Sequence, residues 1–177
     1  MLDKLKVAFV LVVIGAISGF LIYGTNELTA DTISENRYNQ ELDFYREIFE
    51  LTSDFVFTVE STQLENGLTE VVLLDSNQET IGYVYKGSDT NNYGDITVLV
   101  GITLEGNIKN VVISQATNTP TFVKKIKDKY LPNFVGQDVD SVNYDQRTGA
   151  THTYNSVSEV VELATTYFAS ERGVSND

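Results

Sequence analysis

From Val7 to Tyr23 the chain carries no charged side chain, and the uncharged run continues to Asn26 before Glu27 closes it. At a rise of about 1.5 Å per residue, about 20 such positions reach roughly 30 Å, the thickness of a hydrocarbon core, so residues 7–25 are predicted to form a transmembrane helix. Tyr23 stands where an interfacial aromatic belongs, and Gly15 and Gly19 make a G-x-x-x-G pair suited to a neighbouring helix. Lys4 and Lys6 precede the run, whereas Glu27, Asp31 and Glu35 follow it. The positive-inside rule therefore puts residues 1–6 in the cytoplasm and the rest of the chain outside it. The competing reading is a signal peptide cut near Ala30; an apolar run this long, ending on an aromatic, favours a retained anchor.

Beyond the anchor the pattern changes period. Residues 26–51 lack Gly and Pro and set Ile33, Arg37, Tyr38, Leu42, Tyr45 and Phe49 at spacings of three and four, which predicts an amphipathic connecting helix. From residue 52 onward the apolar residues fall into short β-rich runs: 55–60, 70–74, 80–86, 95–104 and 107–115. Asn66-Gly67 separates the first two, and Glu105-Gly106 joins the last two as a tight hairpin. Pro120 opens a helix whose apolar side is Phe122, Val123, Ile126 and Tyr130, and Pro132 stops it. Ser156-Val157-Ser158-Glu159 reads as a capping box, followed at helical spacing by Val160, Val161, Ala164, Tyr167 and Phe168. An antiparallel sheet with helices packed on it makes residues 52–177 an α+β domain.

Composition narrows the chemistry. A net charge of −13 in 177 residues opposes phosphate backbones and makes nucleic acid a poor partner. There is no cysteine, which removes disulfides, thiolate nucleophiles and Cys-ligated metal centres. The single histidine, His152, leaves no His-rich metal site, and no catalytic constellation stands out. Lys124, Lys125, Lys127 and Lys129 gather a third of the twelve basic residues into one short helix, which reads as a solvated face, a surface that docks a partner, or an offset for the charge of a bound anionic group.

The segment Asp145-Gln146-Arg147-Thr148-Gly149-Ala150-Thr151 lies between the sheet and the last helix. It resembles the FMN-binding domain family, whose best-known members are the G subunit of the Rnf electron transport complex and the C subunit of the sodium-pumping NADH:quinone oxidoreductase. The family motif is Asp, two free positions, Ser or Thr, then Gly-Ala-Thr, and Asp145, Thr148, Gly149, Ala150 and Thr151 match all five defined positions. The stretch from Asn92-Tyr93-Gly94 to Val100-Gly101-Ile102 looks like the family's Gly-Tyr strand, and Thr119-Pro120 falls where the family has its flavin-facing Glu-Thr-Pro-Gly-Leu-Gly loop, which implies a cofactor-binding role for Thr119 and Pro120. Asn118 and Thr121 stand where that loop has Glu and Gly, and a side chain at Thr121 restricts close backbone approach to a ligand.

What the resemblance implies is specific. A flavin transferase would join FMN to the Thr151 hydroxyl through a phosphoester. The chain would be a membrane-anchored, electron-carrying subunit of an Rnf-type ion-translocating ferredoxin:NAD oxidoreductase, working with other integral and peripheral subunits rather than as an enzyme alone. Residue chemistry agrees with an anion at that place: Gly149 permits a turn, and backbone N–H groups at the start of a helix suit a phosphodiester. Tyr93 and Phe122 are candidates to lie against the flavin ring, and His152 and Arg147 are candidates for its phosphate, with packing or solvation as the plainer reading for each. Two other functions fit the same residues. One is a solitary extracytoplasmic flavoprotein serving a reductase or extracellular electron transfer; the other is a non-redox surface binding module.

Overall fold

In the computed structural model residues 2–144 and 149–172 are described. The chain divides into two compact units, residues 1–42 and 43–177. Helix α1 covers Leu2–Phe49. Within the first unit, Lys6–Thr25 has a mean hydropathy of 2.4, and by length and composition it can cross a membrane. Its polar end is internally satisfied, since the Thr25 hydroxyl donates to the Leu21 carbonyl at 2.9 Å and the Thr29 hydroxyl to that of Thr25 at 2.8 Å.

The second unit begins with the last turns of α1. Glu50 ends the helix in the left-handed region at φ 54°, and the Leu51 N–H donates back to the Arg46 carbonyl at 3.0 Å. Lys109 Nζ meets the Glu50 carboxylate at 2.8 Å, and this hydrogen bond and the lysine charge hold that carboxyl below its usual range. Five strands follow: β1 Phe57–Gln63, β2 Thr69–Asp75, β3 Thr80–Asn91, β4 Gly94–Ile102 and β5 Ile108–Ala116. They pair in sequence order as an antiparallel meander. Helices α2, Pro120–Lys129, and α3, Thr151–Arg172, complete the unit with two short 3₁₀ turns between them, Leu131–Phe134 and Val139–Ser141. The fold is α+β.

Strand alternation sorts the side chains to two faces. Val71, Val84 and Gly101 share one register row, and a side chain at Gly101 would run into Ile48. Gly82 makes the same allowance for Phe49, so two glycines let the end of α1 settle on this face. The next row, Glu70, Tyr85 and Val100, points the other way, toward α3. There Val157, Val160, Val161, Ala164 and Phe168 are buried, each large side chain contributing about 1.5–3 kcal/mol by leaving water.

Two local expectations are corrected. α3 starts at Thr151, not at Ser156, so Ser156 is no cap but a buried residue of the second turn. The added turn is held by tertiary packing: the Tyr154 ring stacks with Phe134 at 6.4 Å and meets Tyr130 edge-on at 5.9 Å. β3 runs five residues beyond Lys86, and Asn92-Tyr93 forms a two-residue hairpin loop instead of opening β4. That extension carries the hairpin tip to the first turns of α3, where Asn91 Nδ2 donates to Ser156 Oγ at 2.7 Å.

Candidate functional site

The Tyr154 N–H donates to the Ala150 carbonyl at 2.9 Å. Ala150 is thereby the cap of α3, and Thr151, His152 and Thr153 are its first turn. Ala150 and Thr153 are buried and hold the turn down, whereas the Thr151 side chain is exposed. A helix begins with N–H groups aimed outward and the positive end of its dipole, so an anionic group carried on Thr151 meets favourable charge.

Thr151 opens onto a pocket of about 220 Å³ lined by Tyr93, Phe122 and residues 149–153. Three elements converge there. Tyr93 comes from the β3–β4 hairpin tip, where its N–H is fixed by Asn91 Oδ1 at 2.9 Å. Its ring lies 5.9 Å from Phe122 of α2, nearly perpendicular, and 5.5 Å from the His152 ring of α3. Tyr93 keeps 47% of its surface exposed, so the aromatic wall is accessible to a flat ligand. Gly94, the next residue, has φ 128°, and a side chain there would strike Thr117, whose hydroxyl accepts from the Asp95 N–H at 2.8 Å. The hairpin tip and the strand-to-helix segment are locked together at that glycine.

Asn118 ties the convergence from beneath. It is 3% exposed, and its Nδ2 donates to Asn91 Oδ1 at 3.0 Å and to Thr153 Oγ1 at 3.5 Å. Ser156 Oγ accepts from Asn91 and donates to the His152 carbonyl at 3.2 Å. Asn118 Oδ1 is buried with no partner among the described residues, which makes this amide a donor in its surroundings and not an acceptor.

Of the residues singled out in the sequence, Tyr93, Phe122, Gly149, Ala150, Thr151 and His152 meet at the one pocket. Asp145, Arg147 and Thr148 lie outside the described residues. Thr119 caps α2 with its backbone, its carbonyl accepting from the Phe122 and Val123 N–H groups, and does not line the pocket. Pro120 borders a separate hollow of about 330 Å³ with Asn118, Val123 and Lys127. Another hollow, of about 270 Å³, runs along β5 and contains none of the motif residues. Asn91 and Thr153 were not anticipated, and Ser156 was expected only as a helix cap; isolated polar residues of common type carry no local signal, and only the fold brings them into one network with Asn118. Among the described residues no cluster of three or more His, Asp or Glu could hold a metal ion.

Comparison with known proteins agrees with this geometry. The FMN-binding domain family matches residues 92–166, which spans the hairpin tip, α2 and most of α3. The RnfG N-terminal region matches residues 3–48, the length of α1. The chain is also similar to the G subunit of the Na(+)-translocating ferredoxin:NAD(+) oxidoreductase complex of Acetobacterium woodii. The two are 30% identical over 143 residues, covering 75% of this chain and 69% of that protein.

Proposed function

The chain belongs to the RnfG family of FMN-binding proteins of Rnf-type complexes, and on that footing we propose that it is a membrane-anchored electron-carrying subunit with FMN joined covalently to Thr151. The observation that carries the reading is the placement of the motif threonine. Thr151 is the exposed residue of a first helical turn, its neighbours Ala150 and Thr153 are buried, and it faces a pocket walled by Tyr93, Phe122 and His152. An esterifiable hydroxyl, a positive helix end and an aromatic wall are what a tethered flavin mononucleotide needs.

The residues present fit that group. Gly149 lines the pocket next to the attachment point and adds no side chain to it, and the first turn of α3 would supply donors for the phosphate. Thr151 would hold the tether, Tyr93 and Phe122 would offer the ring an aromatic wall, and the Asn118–Asn91 hydrogen bond ties the hairpin tip that carries Tyr93 to the start of α2 that carries Phe122. Asp145 and Thr148 complete the motif that a flavin transferase recognises. Bound there, FMN supplies the redox chemistry, and the protein binds, orients and electrically tunes it.

Anchoring follows from α1. Its apolar stretch spans the membrane with residues 1–6 in the cytoplasm, residues 26–51 link it to the folded part, and residues 52–177 stand outside as the flavin domain. The G-x-x-x-G pair offers a contact for an integral subunit of the complex.

The decisive experiment is co-expression with a flavin transferase, followed by denaturing gel fluorescence and intact-mass measurement. The wild-type chain is expected to fluoresce and to carry the mass of one FMN ester, and Thr151→Val is expected to lose both while retaining the native melting profile. Fluorescence persisting in Thr151→Val overturns the attachment site.

A further inference from the structure

The four lysines of α2 look equivalent in sequence and are not equivalent in the fold. Lys124 is solvent-facing and paired with Asp128 at 2.9 Å, one turn along the same helix. Lys127 and Lys129 are exposed in the last turn, where positive charge complements the helix dipole. Lys125 is half-buried and reaches from α2 to the segment just before α3: a Cβ placed on Gly149 would lie 2.5 Å from its Nζ. Its ammonium therefore occupies the space that a side chain at Gly149 would fill, beside a residue that lines the same pocket and stands two positions from Thr151.

Lys125 meets no carboxylate among the described residues, although the chain carries 25 acidic side chains. A cation held between α2 and Gly149 with no counter-charge among the described residues, in a protein of net charge −13, is placed for an anion that arrives separately. We propose that Lys125 is the counter-ion of the phosphodiester on Thr151, and that residue 149 is glycine to leave its ammonium room. This rests on the flavin attachment proposed above and adds to it the residue that neutralises the ester. Lys125 is a binding residue here: it forms and breaks no covalent bond.

The pairing has a readout independent of electron transfer. Full-length protein in detergent, prepared with and without flavin transferase, is treated briefly with an amine-acylating reagent, and modification at each lysine is measured by peptide mass. Flavinylation is expected to slow acylation of Lys125 at least about fivefold, the size of a surface-to-shielded charge-assisted contact, and to leave Lys127 and Lys129 unchanged. In parallel, flavinylation is expected to raise the melting midpoint of the wild type by about 3 °C, and Lys125→Met to lose most of that gain. Lys125→Arg keeps the gain, and Lys129→Met, which removes the same charge elsewhere, keeps it too.

Equal acylation of Lys125 in both forms, or an undiminished gain in Lys125→Met, overturns the pairing while leaving the flavin on Thr151. Should Lys125→Met accept no flavin, recovery of attachment by Lys125→Arg supports the charge pairing and failure to recover overturns it. Absence of flavin mass on the wild-type chain is a different result, because it removes the attachment itself and the pairing with it.

Discussion

At its C-terminal end α3 is fastened by Arg172, which reaches back to β2 and β3; at its N-terminal end the same helix is held by a chain of uncharged amides and hydroxyls. The guanidinium donates to both Glu70 oxygens at 3.1 and 3.2 Å and lies over the Tyr83 ring at 4.1 Å. Glu70 is 8% exposed and accepts in addition from the Tyr85 hydroxyl at 2.8 Å. The first turn, by contrast, presents Thr151 and His152 to solvent and rests on Asn118, Asn91 and Ser156. Strong charge pairing at one end lets the other stay electrically open. A site proposed to accept an anionic ester gains from having no carboxylate in its wall, and none of the described residues lining the pocket is acidic.

The contrast is broken most severely at the fastened end. Arg172→Met leaves the Glu70 carboxylate buried without its cation, and we expect a loss of about 2–3 kcal/mol, toward the low side for a buried pair because 35% of the arginine side chain remains in water. Urea unfolding followed by tyrosine fluorescence reads this, since the chain has ten tyrosines and no tryptophan. Attachment of flavin to the folded variant should be unchanged. A loss below about 0.5 kcal/mol would mean that the pair adds no more than an ordinary surface contact.

The open end gives a smaller and differently shaped response. Asn118→Ala removes the donor shared by Asn91 and Thr153 but also removes a buried acceptor that has no partner among the described residues. These terms oppose each other, so the net loss should be only about 1 kcal/mol. Its larger consequence is local: with the hairpin tip released from α3, flavin attachment in a fixed time should fall several-fold while Arg172→Met leaves it intact. Equal attachment in both variants would show that the amide network does not position the pocket.

How much of this could be read before the fold was known follows the range of each signal. The apolar run of α1, the strand alternation and Pro120 at the start of α2 are local patterns, and the helix and sheet order followed from them. The Gly-Ala-Thr of the motif is also local, and it led to Thr151 directly. The start of α3 was misplaced because Thr151, Thr153 and Asn155 are weak helix formers, and what holds them helical is Tyr154 against Phe134 and Tyr130, residues 20 or more positions away in sequence. Glu70 and Arg172 are separated by 102 residues, and Asn91 and Ser156 by 65. Nothing in the spacing of such pairs marks them; only the antiparallel order of the sheet and the length of α3 bring them into contact. The same holds for Lys125, which stands among three other lysines and is distinguished only by the glycine opposite.

The finest test separates burial from charge at the fastened end. Tyr85 is fully buried, and burial first, then the adjoining Glu70 carboxylate, push its phenol well above the ordinary tyrosine range near 10. Below about pH 10 the phenol is protonated in both folded and unfolded chains, so its hydrogen bond to Glu70 contributes in full, and Tyr85→Phe should cost about 1 kcal/mol at pH 7. Above that pH the unfolded chain releases the proton while the folded one retains it, so wild-type stability falls by up to about 1.4 kcal/mol per pH unit from this group. Phenylalanine has no proton to lose. The two unfolding curves, compared at matched ionic strength, should therefore converge between about pH 10 and 11, with the variant overtaking the wild type beyond, since the other tyrosines and lysines titrate alike in both. A gap that stays constant across that interval would mean that the buried phenol ionises as readily in the folded chain as in the unfolded one, and that the carboxylate beside it is screened from it.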